Sequence, residues 1–129
     1  MKLLLDTHIW IWTVSDGERL STRVRKEILD TANESWVSPV SAWELLVLHS
    51  KGRIQLTPSP REWFARASVQ VREAPLTQEI VLAAYELELE TDDPADRFLA
   101  ATAQVLGLTL VSADRLLLGL GNIATLANL

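Results

Sequence analysis

The sequence predicts an α/β protein in which a parallel sheet is covered by helices on both faces. Short apolar runs alternate with helix-like segments along the chain, which is typical of parallel strand pairing. Apolar residues make up 48% of the 129 residues, and glycine and proline are scarce. This composition favours one folded domain over residues 1–129 with a core of its own.

Five strands are predicted from short apolar or alternating runs. They are KLLL (2–5), SWVS (35–38), VQVREA (69–74), LTLVS (108–112) and IATL (123–126). Helices are predicted where apolar residues recur at helical spacing, often behind a capping residue or a proline in the first position. They are STRVRKEILDTA (21–32), PVSAWELLVLHSKG (39–52), SPREWFARA (59–67), TQEIVLAAYELEL (77–89), PADRFLAATAQVLG (94–107) and ADRLLLGL (113–120).

Composition narrows the class of chemistry. The absence of cysteine excludes disulfides, thiolate zinc sites and cysteine nucleophiles. Because there are only two histidines, a metal site would be built mainly from oxygen ligands, which suit magnesium or manganese. The N-terminal apolar run is too short for a signal peptide and no run approaches membrane-spanning length, so we expect a cytoplasmic location.

Charge is spread unevenly along the chain. The net charge of −5 argues against a simple basic nucleic-acid binder. Residues 51–72 nevertheless contain five bases and one acid, whereas residues 73–96 contain eight acids and no base. The five bases are Lys51, Arg53, Arg61, Arg66 and Arg72. A polyanion could touch the first region while the second gathers cations; two solvated faces of opposite charge are the alternative.

Two acids stand at unusual positions in the first half of the chain. Asp6 directly follows the first strand, at the edge where open parallel sheets bind ligands, although a turn aspartate is the alternative. Glu44 lies among apolar residues in the second turn of its helix, too late to form a capping box with Ser38 as the cap. A carboxylate on an apolar stripe is costly unless something pairs with it, which favours a functional role.

Two further acids lie near the predicted ends of strands or starts of helices. Asp93 is predicted to cap the alanine-rich helix, with Pro94 in its first position, which leaves Asp96 pointing toward the rim of the sheet. The alternative for Asp96 is a capping-box role, although that pattern prefers Glu or Gln. Asp114 lies just past the strand LTLVS. The alternative for Asp114 is that it complements a helix dipole while Ser112 caps that helix.

A parallel sheet would bring these four acids to one edge. Two unit charges 4 Å apart repel by about 4 kcal/mol at an effective dielectric near 20. The site would therefore need a cation, and Mg²⁺ or Mn²⁺ is the expected one. Such an ion would equip the site for phosphoryl chemistry.

Four motifs together resemble the PIN domain, and in particular the VapC-type toxins of bacterial type II toxin–antitoxin pairs. They are LLDTHIWIW (4–12), SPVSAWELLVLHSKGRI (38–54), DPADRFLAATA (93–103) and LVSADRLL (110–117). The resemblance runs through nearly the whole chain. It implies an α/β/α sandwich and a Mg²⁺- or Mn²⁺-dependent endoribonuclease activity that leaves 5′-phosphate ends.

The resemblance also implies roles for individual residues. The catalytic metal ligands would be Asp6, Glu44, Asp96 and Asp114. The residues that support these ligands would be Thr7, Ser112 and Asp93. Independently of the resemblance, Arg97 and Arg115 each follow one of these acids in the sequence, so we expect them to hold flanking phosphates, with a salt bridge to a neighbouring acid as the alternative.

Two departures from the family pattern concern RNA contacts and substrate choice. Leu48 stands where many relatives have lysine, and residues 90–92 read ETD where many have a histidine. Of the five tryptophans, four are predicted to pack in the core. Trp63, inside the basic region, is the one candidate for stacking on RNA bases, with a structural role as the alternative.

The resemblance implies two protein partners. These are a second copy of the chain, in a homodimer, and a VapB-type antitoxin whose C-terminal segment covers the acidic groove. Apolar helix faces near residues 9–14 and 43–48 are consistent with such contacts. Two other functions remain open: a catalytically silent PIN-like binding module, and a haloacid dehalogenase-type phosphatase, which would need an acid where this chain has His8.

Overall fold

The computed structural model describes residues 1–129 and is built on a single five-stranded sheet. The strands are β1 (Lys2–Leu5), β2 (Glu34–Val37), β3 (Arg72–Glu73), β4 (Thr109–Ser112) and β5 (Thr125–Ala127). Their order is β3-β2-β1-β4-β5, and every neighbouring pair is parallel. Because β2 lies on one side of β1 and β4 on the other, the strand order reverses at the centre of the sheet. Ligands of open parallel sheets bind at such a point.

Seven helices cover the sheet. They are α1 (Thr7–Ser15), α2 (Thr22–Leu29), α3 (Pro39–Ser50), α4 (Pro60–Ala67), α5 (Gln78–Glu86), α6 (Pro94–Leu106) and α7 (Arg115–Leu118), with a 3₁₀ turn at Gly17–Arg19. A capping Ser or Asp followed by proline starts α3, α4 and α6, as the sequence predicts. None of the helices has the length and apolar character that a membrane span requires.

The side chains of β1 show how the layers are arranged. Leu3 and Leu5 belong to one buried apolar cluster, to which α1–α4 contribute, while Leu4 belongs to a second cluster formed with α5–α7. Successive residues of a strand point to opposite faces of the sheet. The two clusters therefore lie on opposite sides, and the predicted three-layer α/β/α architecture is confirmed.

Several predicted elements differ from the structure in extent. The helix predicted at 113–120 is only Arg115–Leu118, and the one predicted at 39–52 ends at Ser50. The strand predicted at 69–74 is only Arg72–Glu73, because this edge strand pairs with β2 over two residues. The helix predicted at 77–89 ends at Glu86, and the one at 21–32 ends at Leu29. The last strand is Thr125–Ala127 and so begins two residues later than predicted.

The sequence patterns do not predict α1. Three consecutive apolar residues of this helix, Ile9, Trp10 and Ile11, are all buried, so its sequence shows no clear polar face. Hydrophobic periodicity, the main signal for a surface helix, is therefore absent from this segment.

Candidate active site: an acidic cleft at the sheet edge

The four acids singled out from the sequence lie at one edge of the sheet. Asp6 follows β1, and Asp114 lies two residues beyond the end of β4, the strand paired with β1. Glu44 lies in the second turn of α3 and Asp96 in the first turn of α6. Because the strands are parallel, their carboxyl ends share this edge. The fold thus brings together acids that are far apart in the sequence.

These acids line a cleft with a volume of about 390 Å³. The residues that line it are Asp6, Thr7, His8, Ile9, Trp12, Glu44, Asp93, Asp96, Ala113 and Asp114. Five of them carry a carboxylate, and none is a lysine or an arginine. The imidazole of His8 is therefore the one basic side chain in the cleft that can relieve repulsion between the carboxylates.

Asp6 is held by hydrogen bonds to both of its carboxylate oxygens. Its Oδ1 accepts from the backbone N–H of Thr7 at 2.7 Å, and its Oδ2 accepts from the Ser112 hydroxyl at 2.7 Å. The Ser112 oxygen also accepts from the backbone N–H of Asp114 at 2.9 Å, so it links the ends of β1 and β4. Burial raises the pKa of Asp6 above its ordinary value, and the two hydrogen bonds to the carboxylate oppose that rise.

Glu44 is held by the buried hydroxyl of Thr7. The Thr7 Oγ1 donates to Glu44 Oε1 at 2.5 Å and lies 3.0 Å from the Ser41 hydroxyl. Because Thr7 has one hydroxyl proton and gives it to the carboxylate, the Ser41 hydroxyl is free to donate back to Thr7. Burial raises the pKa of Glu44, the Thr7 hydrogen bond lowers it, and the charges of Asp93 and Asp6 add to the rise.

Asp96 has no hydrogen bond to its carboxylate. It is half-buried, and its helical neighbours Leu99, Ala100 and Ala103 are buried against the sheet, as the sequence predicts. Burial raises the pKa of Asp96 to about 7, and the charges of four other acids in the cleft add to that effect, led by Asp93. Of the carboxylates in the cleft, this one is the least compensated by the protein.

The remaining acids of the cleft start helices. Asp93 caps α6, accepting from the backbone N–H of Ala95 at 3.0 Å, which confirms the predicted cap. Asp114 itself caps α7, accepting from Leu116 N–H at 2.9 Å. The alternative in which Ser112 caps this helix is therefore wrong, because Ser112 bonds Asp6 and the Asp114 backbone instead.

The cleft fits a divalent cation by charge and by donor type. Carboxylate oxygens are ligands that Mg²⁺ and Mn²⁺ prefer. No group of three or more acidic or imidazole side chains lies close enough together in the structure to cage one metal ion. Mg²⁺ does not require such a cage, since it is usually bound through one or two carboxylates and keeps several waters or substrate oxygens.

Arg97 does not serve as the predicted phosphate ligand or as an ion-pair partner of a neighbouring acid. Its guanidinium donates to the carbonyl oxygens of Ala84, Leu87, Leu89 and Thr91 at 2.8–3.3 Å. These bonds use all three nitrogens of the guanidinium. Arg97 therefore fastens the irregular connection between α5 and α6, and this connection leads directly into the cap residue Asp93.

The other predicted basic contacts stay open. Arg115 is exposed and has no salt bridge or side-chain hydrogen bond within the chain, so its contact with phosphate remains a prediction. The five bases between residues 51 and 72 are all exposed. One of them, Arg72, lies 3.4 Å from Glu34.

The predictions for two tryptophans are wrong. Trp63 is only 6% exposed and packs against Trp10 and Phe64 in the core, so it cannot stack on RNA bases. Trp43, predicted to lie in the core, is 67% exposed. The spacing of Trp63 and Ala67, one turn apart on the buried face of α4, was the signal for a core position.

Two residues that line the cleft were not singled out from the sequence as site residues. His8 and Trp12 are one helical turn apart on α1, and both face the cleft. Their spacing of four residues, starting two residues after Asp6, is a signal that becomes readable only once α1 is known to be a helix.

Comparisons with known proteins agree with this geometry. The family model described as PIN domain matches residues 3–120. Ribonuclease VapC22 of Mycobacterium tuberculosis (strain ATCC 25618 / H37Rv) is 34% identical over 114 residues, which are 88% of this chain and 87% of the relative.

Solved structures show a similar fold. VapBC2 from Rickettsia felis, solved with a DNA fragment from the VapBC2 promoter, matches with a TM-score of 0.76 at 17% identity. DNA-bound VapBC from Salmonella typhimurium matches with a TM-score of 0.72 at 18% identity. Each match covers 98% of both chains. By its family model, its relative and its fold, this chain belongs to the PIN-domain family and is of the VapC type.

Proposed function

We propose that this chain is a metal-dependent endoribonuclease of the VapC type, with a single nuclease domain over residues 1–129. The observation that carries the proposal is the cleft in which five carboxylates meet without a lysine or arginine. Such a cleft repels the phosphates of RNA unless cations neutralise it. The 34% identical relative is named a ribonuclease, which supports RNA as the substrate.

Asp6, Glu44, Asp96 and Asp114 would hold Mg²⁺ or Mn²⁺. When bound, these ions supply charge stabilisation for phosphodiester hydrolysis and a more acidic water. Thr7 and Ser112 fix the orientation of two of the carboxylates through the hydrogen bonds described above. In-line attack of water on the phosphorus would break its bond to the 3′-oxygen, and the proton lost by the water would balance the one gained by that oxygen. The products would be a 3′-hydroxyl and a 5′-phosphate end.

The toxin role adds two protein partners to the proposal. We expect a VapB-type antitoxin to cover the acidic cleft, and a homodimer of the chain. Exposed apolar side chains support such contacts, since Leu82 is 62% and Tyr85 is 86% exposed. Apolar side chains left open to this extent are typical of surfaces that bind other proteins.

The activity can be tested with antitoxin-free protein and total cellular RNA, incubated with Mg²⁺ or with EDTA. We expect new 5′-phosphate ends with Mg²⁺ and none with EDTA, as read by sequencing of the ends. Cleavage that is equal in EDTA would overturn metal dependence. RNA left intact under both conditions, by a protein that still binds a VapB-type antitoxin, would favour the silent binding module.

A further inference from the structure

A row of three side chains leads away from the acidic cleft along α1 and is called here the α1 row: His8, Trp12 and Arg19. The rings of His8 and Trp12 have their centroids 5.7 Å apart, and both line the cleft. Arg19, in the 3₁₀ turn after α1, places its guanidinium carbon 5.6 Å from the centroid of the Trp12 ring. The row thus begins beside Asp6 and ends in a cation.

The α1 row lies on the open side of its helix. Ile9, Trp10 and Ile11 are buried on the other side of the helix, whereas His8 is exposed. Trp12 is partly buried, with part of its side chain packed against the apolar cluster of α1–α4. The side chain of Arg19 is 63% exposed. Its one ion pair, with Asp16 at 3.1 Å, is also open to solvent, so it is weak and readily exchanged.

A ribonuclease with an acidic cleft must hold the rest of its substrate elsewhere. The cleft itself carries five carboxylates, so an RNA strand gains little by lying along most of its walls. The wall formed by His8 and Trp12 offers aromatic faces instead. Unpaired bases stack on such faces with little dependence on their sequence. Arg19 then supplies a positive charge 5.6 Å from the centroid of the Trp12 ring.

We propose that the α1 row is a subsite for one unpaired nucleotide of the RNA substrate, next to the phosphodiester in the acidic cleft. The base stacks on Trp12 in place of the Arg19 guanidinium. Arg19, displaced from the ring and from Asp16, contacts the phosphate. This subsite rests on the proposed ribonuclease function and adds to it a binding position for one nucleotide of the RNA strand.

The exposed Trp43 is the competing candidate. It borders an apolar pocket of about 610 Å³ that shares His8, Glu44 and Asp93 with the cleft. That pocket has no lysine or arginine in its lining, so it offers no partner for a phosphate. An apolar surface of this kind fits a protein better than a nucleotide. Trp43 therefore provides a matched control: an exposed tryptophan beside the cleft but outside the α1 row.

The test measures kcat and KM of the full-length chain on a short unstructured oligoribonucleotide with Mg²⁺. Trp12→Ala should raise KM by roughly 5- to 150-fold, the range for loss of one base stack, and Trp12→Phe should return KM most of the way to the wild-type value. Arg19→Ala should raise KM several-fold and lower the slope of log KM against log salt by about 0.7, as expected for one phosphate contact to a single strand. Trp43→Ala should leave KM unchanged.

The outcomes separate the subsite from the activity. If the wild-type chain cleaves RNA and both Trp12→Ala and Arg19→Ala keep a normal KM and salt slope, the subsite is wrong while the activity stands. A rise in KM with Trp43→Ala alone would move the subsite to α3 and overturn this one. If Trp12→Ala keeps a normal KM but changes the oligomeric state of the protein in solution, the α1 row is a protein contact and the subsite is wrong.

Binding without cleavage gives the remaining outcomes. If the wild-type chain leaves RNA intact, anisotropy of a fluorescent oligoribonucleotide decides. Binding that Arg19→Ala weakens and Trp43→Ala does not would keep the subsite without the nuclease. If the RNA stays intact and all of these variants bind it equally, both the subsite and the nuclease activity are wrong.

Discussion

The two sides of the acidic cleft are held in different ways. On the side of β1 and α3, the carboxylates of Asp6 and Glu44 accept short hydrogen bonds from the buried hydroxyls of Ser112 and Thr7. On the side of α6, the carboxylate of Asp96 accepts none, and its pKa is raised to about 7. The first side is ordered by the protein itself, whereas the second is left to be completed by a cation or by a proton.

This difference indicates how the cleft divides stability and function. A half-buried carboxylate without a donor destabilises the folded protein whenever it is charged. Such a position is expected where selection has kept a group for binding at the expense of stability. Removing Asp96 and removing the hydroxyls should therefore have opposite effects on the metal-free protein.

The largest effect is expected from Asp96→Asn. The amide cannot neutralise a divalent cation as a carboxylate does, so RNA cleavage should fall by more than about 100-fold, beyond the range for residues that merely support metal ligands. In EDTA above pH 7 the same variant should melt at a higher temperature than the wild type, since the uncompensated charge is gone. Cleavage assays and thermal melts of one preparation measure both.

Asp92→Asn is the matched control for this pair of effects. Asp92 precedes the cap residue Asp93, is exposed and does not line the cleft, yet the change removes the same unit of charge. It should alter neither cleavage nor the melting temperature appreciably. Unchanged cleavage by Asp96→Asn, or equal stabilisation by both substitutions, would remove the special position assigned to Asp96.

A smaller effect is expected from Thr7→Val, which keeps the shape of the side chain and removes its hydroxyl. Glu44 then loses its 2.5 Å donor, its carboxylate is less well oriented, and its pKa rises further. We expect the Mg²⁺ concentration for half-maximal cleavage to rise, or the cleavage rate to fall, by roughly 10- to 100-fold. This is the range for other groups that orient metal ligands.

Thr7→Ser provides the control, because it keeps the donor while removing the methyl group. It should retain most of the activity and most of the normal Mg²⁺ dependence. If Thr7→Val and Thr7→Ser behave alike, the methyl packing of this buried residue matters and the hydrogen bond to Glu44 does not.

The sequence predicts the hydroxyl-held side of the cleft and the start of α6 well, because local patterns determine both. The strand KLLL ending in Asp6, and Asp93 before Pro94, are signals that need no distant contacts. The parallel order of the strands then follows from the alternation of strands and helices. Convergence of the acids is a consequence of that order.

Orientation around a helix axis is less predictable. Arg97 follows Asp96 directly, but neighbouring residues of a helix point about 100° apart, so the cleft receives the acid and the α5–α6 connection receives the base. The wrong predictions for Trp43, which is exposed, and Trp63, which is buried, have the same origin. Which face of a short helix is buried depends on the neighbouring elements, and those are known only when the fold is known.

The smallest expected effect is the pH dependence of stability in the metal-free protein. The pKa of Asp96 rises from 3.8 to about 7 on folding, so between these values the folded chain binds more protons than the unfolded one. Stability is then highest below about pH 4 with respect to this group and is lost as the pH rises through about 7. The raised pKa values of Asp6 and Glu44 act in the same direction.

In EDTA, the melting temperature should therefore fall by a few degrees between pH 5.5 and pH 8, a modest change because Asp96 is partly open to solvent. Asp96→Asn should flatten this fall, and Asp92→Asn should not. Excess Mg²⁺ should flatten it in the wild type, since a bound cation compensates the charge that the proton otherwise removes. A melting temperature that rises with pH across this range would mean that the carboxylate of Asp96 is already compensated by the protein, and the two sides of the cleft would then not differ.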